Sequence, residues 1–370
     1  MDLSFIQKNS ENNHKVNITL SILVISHNQR ELLRRCMDSI LVQKINVPYE
    51  IIISDDRSSD GTWELIEEYM IDYPDLVFGI KCNSDECNPV NRSERCGWNK
   101  LNAYQHSRGK YFVNIDADDY LTSNDIYQSQ IDALEKHPEC SMCQQKVWEV
   151  KNGKEYSTGC AWPSNKSLFN GRIISVYDTI IRGLQGLNQS YLIRKVGITD
   201  PDSLYGKWYD DTVITLHHLQ YGPAVFIDRS DYVWVKYPNS ISSEAKGDDD
   251  LATFGLLPFC HALLIPSFTG YFMAQNTLAT FHLVKKLYHN SLSLSEEAQN
   301  YYKQFRGHIF QACCSNSGTR NIRIFASYCI IGLLRKFHIY CKPLNKLLYR
   351  LLIGEPSHEI KNKIQWAINK

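Results

Sequence analysis

The chain has 370 residues, more than one typical domain, and its 43% apolar and 22% charged residues are those of a globular protein. Forty basic residues balance forty acidic ones, for a formal net charge of zero, so the basic field of a general nucleic-acid binder is absent and no nucleic-acid partner is expected. Residues 1–15 are polar and lack the apolar core of a signal peptide, which makes the cytoplasm the default compartment.

Leu20 to Ser26 is a nearly continuous apolar run rich in β-branched residues, which predicts a strand buried on both faces. Leu32, Leu33, Cys36, Met37, Ile40 and Leu41 then recur at helical spacing, so a helix over 31–43 packs on that strand. Tyr49 to Ser54 is a second buried strand ending in Asp55 and Asp56, and Asp60-Gly61 opens a helix over 62–71. Strand, helix, strand, helix in this order implies right-handed parallel crossovers. Tyr111 to Ile115 is another buried strand, followed by Asp116-Ala117-Asp118-Asp119 and a helix starting near Ser123. The next segment is less regular, with strands expected over 146–150, 189–193 and 224–227, a helix over 211–220, and the aromatic Tyr232 to Val235. A polar linker, Glu244 to Asp250, precedes helices that run to the C-terminus. Of twelve cysteines only Cys140 and Cys143 form a C-x-x-C pair, so reduced, packed thiols are expected rather than a disulfide framework or a zinc ribbon.

Three carboxylates at the end of a buried strand repel one another and raise one another's pKa, and core packing does not require them. A hard divalent ion, Mn²⁺ or Mg²⁺, takes such oxygens and completes its shell with substrate phosphates and water. Taken alone, the run fits a solvated acidic turn ahead of a helix equally well. Ligands in open α/β sheets, however, bind at the carboxyl ends of strands. Here three such ends carry Ser26-His27-Asn28, Asp55-Asp56 and Asp116 to Asp119, a coincidence that an isolated turn does not produce.

Over about residues 19–242 the chain resembles the family 2 glycosyltransferases. The resemblance rests on Ile22 to Asn28, Ile53 to Thr62 and Gly109 to Asp119, in that order. It implies the GT-A fold, an α/β architecture with a Rossmann-like, mostly parallel central sheet flanked by helices. It also implies a nucleotide-diphosphate sugar donor, UDP-sugar first, and inversion at the anomeric carbon. The acceptor would be a hydroxyl of a glycan or lipid-linked molecule in surface polysaccharide or glycoconjugate synthesis. By this resemblance Ser26, His27, Asn28, Asp55 and Asp56 lie on the nucleotide side, with Asp56 at the edge of the base. His27 stands where the family carries an aromatic on the base, and a stacked imidazole and an ordinary surface or core histidine both fit. Asp116 would hold the ribose region, and Asp118 with Asp119 and Asp116 would surround the Mn²⁺ or Mg²⁺. Asp210-Asp211 matches the family's acidic pair, with Asp211 as the base that takes the acceptor proton, although the pair also suits a helix N-terminus.

Two segments depart from the family pattern. Arg95 to Asn102 matches the donor-contact segment only loosely, and Tyr237 ahead of Ser240-Ile241-Ser242 stands where many members carry a histidine. His27 and Tyr237 motivate a competing reading, a non-catalytic sugar-nucleotide or glycan-binding scaffold with the same fold. Trp162, Trp208 and Trp234 are candidates for the acceptor side, because flat sugar faces pack on rings, and each is equally a candidate for the core.

The chain thus divides into an N-terminal extension (1–18), a glycosyltransferase domain (19–242) and a helical C-terminal extension (243–370). Between Ala298 and Gly354 there is no acidic residue, and basic and apolar residues interleave over 320–353. The longest apolar run there falls short of the ~20 residues a spanning helix needs. Two readings remain for this stretch: a basic amphipathic surface lying on the cytoplasmic face of a membrane, or a helical appendage packed on the catalytic domain or a partner.

Overall fold

In a computed structural model of the chain, the described residues are 17–87, 92–151, 160–162, 168–176, 178–179, 186–196 and 211–237. The first half alternates β1 (Leu20–Ser26), α1 (Arg30–Leu41), β2 (Tyr49–Asp55), α2 (Thr62–Asp72), β3 (Val77–Lys81), α3 (Arg92–His106) and β4 (Tyr111–Asp116). After these come β5 (Tyr120–Leu121), α4 (Ile126–Lys136), β6 (Met142–Gln144), β7 (Val147–Lys151), β8 (Cys160–Trp162) and β9 (Ile173–Ile174). The described part closes with β10 (Tyr191–Arg194), α5 (Asp211–Leu219), β11 (Ala224–Phe226) and β12 (Tyr232–Lys236).

Among the described residues, eight strands form one sheet in the order β3-β2-β1-β4-β10-β6-β11-β9. Its first four strands are parallel, as βαβ crossovers require, and β10 then runs antiparallel to both β4 and β6. Alternate residues of β1 go to opposite faces, and both faces are buried. Leu20, Ile22 and Val24 pack with Leu33, Met37 and Ile40 of α1, Leu65 and Ile66 of α2, and Ile131 and Leu134 of α4. Leu23 and Ile25 pack with Leu101, Ala103 and Tyr104 of α3 and Ile214 and Leu219 of α5. A strand with apolar partners on both sides has no reason to alternate, which is why β1, β2 and β4 are nearly continuous apolar runs.

A second sheet, β5-β12-β7-β8, starts immediately beyond the acidic run. Tyr120 and Leu121 leave the main sheet to pair with Val233 and Tyr232 of β12. Asp116 to Asp119 is therefore the corner between two sheets. Gly109 sits at the other end of β4, where an added Cβ would lie 2.5 Å from the Tyr111 carbonyl and 2.6 Å from the Ser21 nitrogen.

Several expectations shift by a few residues. The helix expected near Ser123 begins at Ile126 behind Asp125, and the strand expected over 189–193 begins at Tyr191 behind a short 3₁₀ turn. Cys36, Cys82, Cys96, Cys140 and Cys143 are free thiols, and no disulfide occurs among the described residues. No helix among the described residues is long and apolar enough to cross a membrane. The C-terminal extension 243–370, with the stretch 320–353, lies outside the described residues.

Candidate active site at the carboxyl edge of the sheet

The parallel register aligns the three polar strand ends. Ser26 of β1 stands opposite Asp55 of β2, and Ile25 opposite Asp116 of β4. The chain leaves β1 and β2 through two non-glycine residues in the left-handed region, Asn28 at φ 52° and Arg57 at φ 56°. Left-handed backbone is costly for a side chain other than Gly, Asn or Asp, so of these two turns the one at Arg57 needs outside support. They support each other: Asn28 N–H donates to Ser58 Oγ (2.7 Å), and Ser59 N–H donates to Asn28 Oδ1 (2.8 Å). Asp60 serves two helix ends at once, accepting the Arg30 N–H that opens α1 and the Thr62 N–H that opens α2. Burial pushes the Asp60 carboxyl up, but these bonds and that from the Thr62 hydroxyl outweigh it and hold the group below the usual range.

On the β2 side, Asp55 and Asp56 have separate roles. Asp55 is buried and accepts bonds from both the backbone N–H and the hydroxyl of Ser58, so its carboxylate closes the turn. Burial raises its pKa, and the Ser58 bonds work against that rise. Asp56 accepts from Ser84 N–H (3.2 Å), from Ser84 Oγ (2.8 Å) and from Arg95 Nη2 (2.9 Å). The exposed His27 ring is held in plane: Nδ1–H donates to the Asp56 carbonyl (2.7 Å), and Nε2 lies 3.2 Å from Asn28 Nδ2.

Within the acidic run the three carboxylates point to different tasks. Asp116 accepts from Gln189 Nε2 at 2.7 Å through Oδ2, while its buried Oδ1 has no hydrogen bond. Burial, and then the Asp116 charge, push the Asp118 carboxyl up to about 7. Arg35 of α1 lies against it, donating to the Asp118 carbonyl and resting 4.5 Å from the Tyr120 ring centroid. Asp119 is 0% exposed, and both its oxygens are engaged by β12, one by the Tyr232 hydroxyl and one by the Val235 N–H (2.8 Å). Its burial and the neighbouring Asp118 and Asp116 charges hold its pKa well above the usual range. The structure thus brings Asp116 and Asp118 to the edge and turns the Asp119 carboxylate into the joint between the sheets.

Asp211, the first residue of α5, comes to the same edge. Lys100 of α3 connects the two, with Nζ 2.8 Å from Asp211 Oδ1 and 3.7 Å from Asp116 Oδ1. Burial pulls the Lys100 ammonium pKa down, but the two carboxylates outweigh it and raise it well above the usual value. Asp210 and Trp208 lie outside the described residues, and Trp162 is placed in β8 by its backbone alone. Trp234 is half-buried in β12, against the core, with Lys236 Nζ 4.1 Å from its ring centroid. The hydroxyl of Tyr237 accepts from Arg35 Nη2 at 3.4 Å.

Five partners of this edge went unassigned from sequence: Arg35, Ser84, Arg95, Lys100 and Gln189. Arg95 and Lys100 belong to the loosely matched segment, whose cluster of polar residues in a helix packed on the sheet is the one signal that pointed to them.

A layered α/β domain that gathers Ser26, Asp55, Asp116, Asp118 and Asp211 at one carboxyl edge of its main sheet has the architecture of a GT-A-like protein. Residues 21–189 match the family model Glycosyl transferase family 2. An uncharacterized protein of Mycobacterium tuberculosis is 33% identical over 126 residues, 34% of this chain and 34% of the relative. The poly(ribitol-phosphate) beta-glucosyltransferase of Bacillus spizizenii is 29% identical over 105 residues, 28% of this chain and 15% of the relative. The matched segment thus spans 34% and 15% of those two relatives' length. Among solved structures, S. aureus TarS 1-349 in complex with UDP-GlcNAc aligns with a TM-score of 0.56 at 17% identity, over 91% of this chain and 90% of that one. At that identity the likeness establishes a shared fold.

Proposed function

We propose that the chain is a metal-dependent inverting glycosyltransferase that moves a sugar from a nucleotide-diphosphate donor, a UDP-sugar first, to a hydroxyl of a glycan or lipid-linked acceptor. The observation that carries this reading is the meeting of Asp116, Asp118 and Asp211 at one strand edge of a domain that matches the family 2 model, although Asp211 lies far away in sequence. Two similar proteins support the donor and the setting: TarS was solved with UDP and with UDP-GlcNAc, and the Bacillus relative is a poly(ribitol-phosphate) beta-glucosyltransferase. The proposed setting is surface-polymer synthesis, at the cytoplasmic face of a membrane.

Asp118 and Asp116 suit a hard cation. Their oxygens are of the right type, Asp116 Oδ1 is buried without a hydrogen bond, and Asp118 bears the repulsion that a cation would relieve. A Mn²⁺ or Mg²⁺ held there supplies Lewis-acid neutralisation of the donor diphosphate. Asp119 is assigned the role of brace, fixing the acidic corner to β12. On the nucleotide side, Asp56 with Arg95 faces the edge of the base, His27 offers its exposed ring to the base plane, and Ser26, Asn28 and Asp55 shape the turn beneath. Asp116 also borders the ribose.

Asp211 takes the proton of the acceptor hydroxyl while the acceptor oxygen bonds to the anomeric carbon. The bond from that carbon to the β-phosphate oxygen breaks on the opposite face, and the nucleoside diphosphate departs with the bonding pair. Asp210 is proposed to flank the base, and Trp162, Trp208 and Trp234 to border the acceptor. The division at 18/19 and 242/243 is retained as part of this proposal, as is peripheral membrane contact through 320–353.

The test is UDP release from UDP-glucose and UDP-GlcNAc with Mn²⁺. Asp118→Ala and Asp211→Asn are each expected to lower turnover by about 10²-fold or more. Wild-type rates in both variants would overturn the assignment. UDP-sugar binding without metal-stimulated turnover would favour the scaffold reading, which His27 and Tyr237 motivate.

A further inference from the structure

We propose that Lys100 is the positioning residue of this site: it fixes the Asp211 carboxylate by one oxygen and ties it to the donor-side carboxylate Asp116. The inference rests on the functional reading above and adds to it the residue that couples its two halves.

Lys100 is 5% exposed on α3. Placing an ammonium there costs several kcal/mol unless it is paired, so a lysine is a poor choice for filling space between a helix and a sheet. Its partners are the two carboxylates, Asp211 Oδ1 at 2.8 Å and Asp116 Oδ1 at 3.7 Å. Those partners lie on different elements, β4 and the start of α5, and the sequence separation of Lys100 from Asp211 is 111 residues. Gln189 Nε2 holds the other Asp116 oxygen, so a continuous polar chain runs Gln189, Asp116, Lys100, Asp211.

The helix that carries Lys100 is pinned where it must be rigid. Asn99 Nδ2 donates to the carbonyls of Ser26 and Ser54, each at 3.1 Å, and Asn102 Nδ2 donates to Ser54 Oγ at 3.1 Å. One turn earlier Arg95 reaches Asp56. The Lys100 stem therefore starts from a point fixed against the ends of β1 and β2. A carboxylate held by one oxygen on a rigid donor keeps the other aimed, and Lys100 holds Asp211 through Oδ1. A single charge shared between Asp116 and Asp211 also sets the distance between the donor side and the base side.

The experiment uses the full chain and UDP release from UDP-glucose and UDP-GlcNAc with Mn²⁺. For Lys100→Met the expected result is a fall in kcat of about 10²-fold, the scale set by loss of alignment, with donor KM within about threefold of wild type. Lys100→Arg, which keeps charge and donors, should recover most of the loss. Lys100→Met combined with Asp211→Asn should be no slower than Asp211→Asn alone, because the lysine acts through that carboxylate. If Lys100→Met does not fold, Lys100→Gln carries the same expectation. Wild-type kcat in the neutral variants, alongside an inactive Asp211→Asn protein, would overturn this inference and leave the function standing. Losses that multiply in the double variant would also overturn it. A wild-type chain without turnover, or an active Asp211→Asn protein, would sink the functional reading and this inference together.

Discussion

Asp118, half-buried at the edge, and His218, fully buried, are pushed in opposite directions by their surroundings. Asp118 is raised to about 7, so the folded chain holds a proton there that an unfolded carboxyl releases near 3.8. Its contribution to stability is therefore full below 3.8 and lost as pH rises through 7. A cation bound at Asp118 must displace that proton, so Mn²⁺ affinity should rise with pH up to about 7, by as much as about tenfold per unit. The rise in melting temperature on adding Mn²⁺ is thus expected to be larger at pH 8 than at pH 6 and to vanish in Asp118→Asn. A shift independent of pH would contradict this.

His218 is pushed down to about 3, chiefly by burial; the Ile214 carbonyl that accepts its Nδ1–H raises it, and His217 lowers it. Here the unfolded chain binds the extra proton, so the contribution is full above 6.5 and falls by about 1.4 kcal/mol per unit below it. Urea unfolding at pH 6.5 and 5.5 should show wild type losing about 1 kcal/mol more than His218→Phe over that interval. Parallel losses would rule His218 out as the sensor.

Among the elements, α3 organises the site. Its Asn99 bonds two backbone carbonyls, at the ends of β1 and β2, from a buried position. Asn99→Ala leaves both carbonyls without that donor and should cost about 1–3 kcal/mol in denaturant unfolding. A change below about 0.5 kcal/mol would show that the strand ends hold together without it. The helix was hard to read beforehand for the same reason that it matters: Arg95, Asn99 and Lys100 interrupt the apolar period with polar groups that are satisfied only in the fold. β3 was missed because an edge strand of five residues containing Gly79 gives little pattern. β1, β2 and β4 were legible because burial on both faces makes them apolar almost throughout, with only a few polar residues such as Ser21, Glu50 and Asn114 inside them.

Across the whole molecule, zero net charge conceals segregation. The described domain concentrates carboxylates at one edge, and basic residues gather at 320–350 outside it. If that stretch lies on a membrane, the full chain should cosediment with phosphatidylserine vesicles and detach with added salt, since each Lys or Arg gains roughly 1 kcal/mol near such a surface. Replacing Arg335, Lys336, Lys342 and Lys346 with Gln should abolish the binding. Equal sedimentation of that variant would assign the contact elsewhere.

By itself the sequence determined the layered α/β class, the three polar strand ends and the acidic residue opening α5. Each of these is written in local pattern: apolar runs that stop, and charges that begin where they stop. Only the tertiary structure separated Asp119, locked to Tyr232 and Val235, from Asp116 and Asp118 at the edge, and only it joined Lys100 to Asp211. Adjacent residues on a tight corner point in different directions, and a buried ion pair depends on elements that meet only when the chain is packed; neither is encoded in spacing along the sequence.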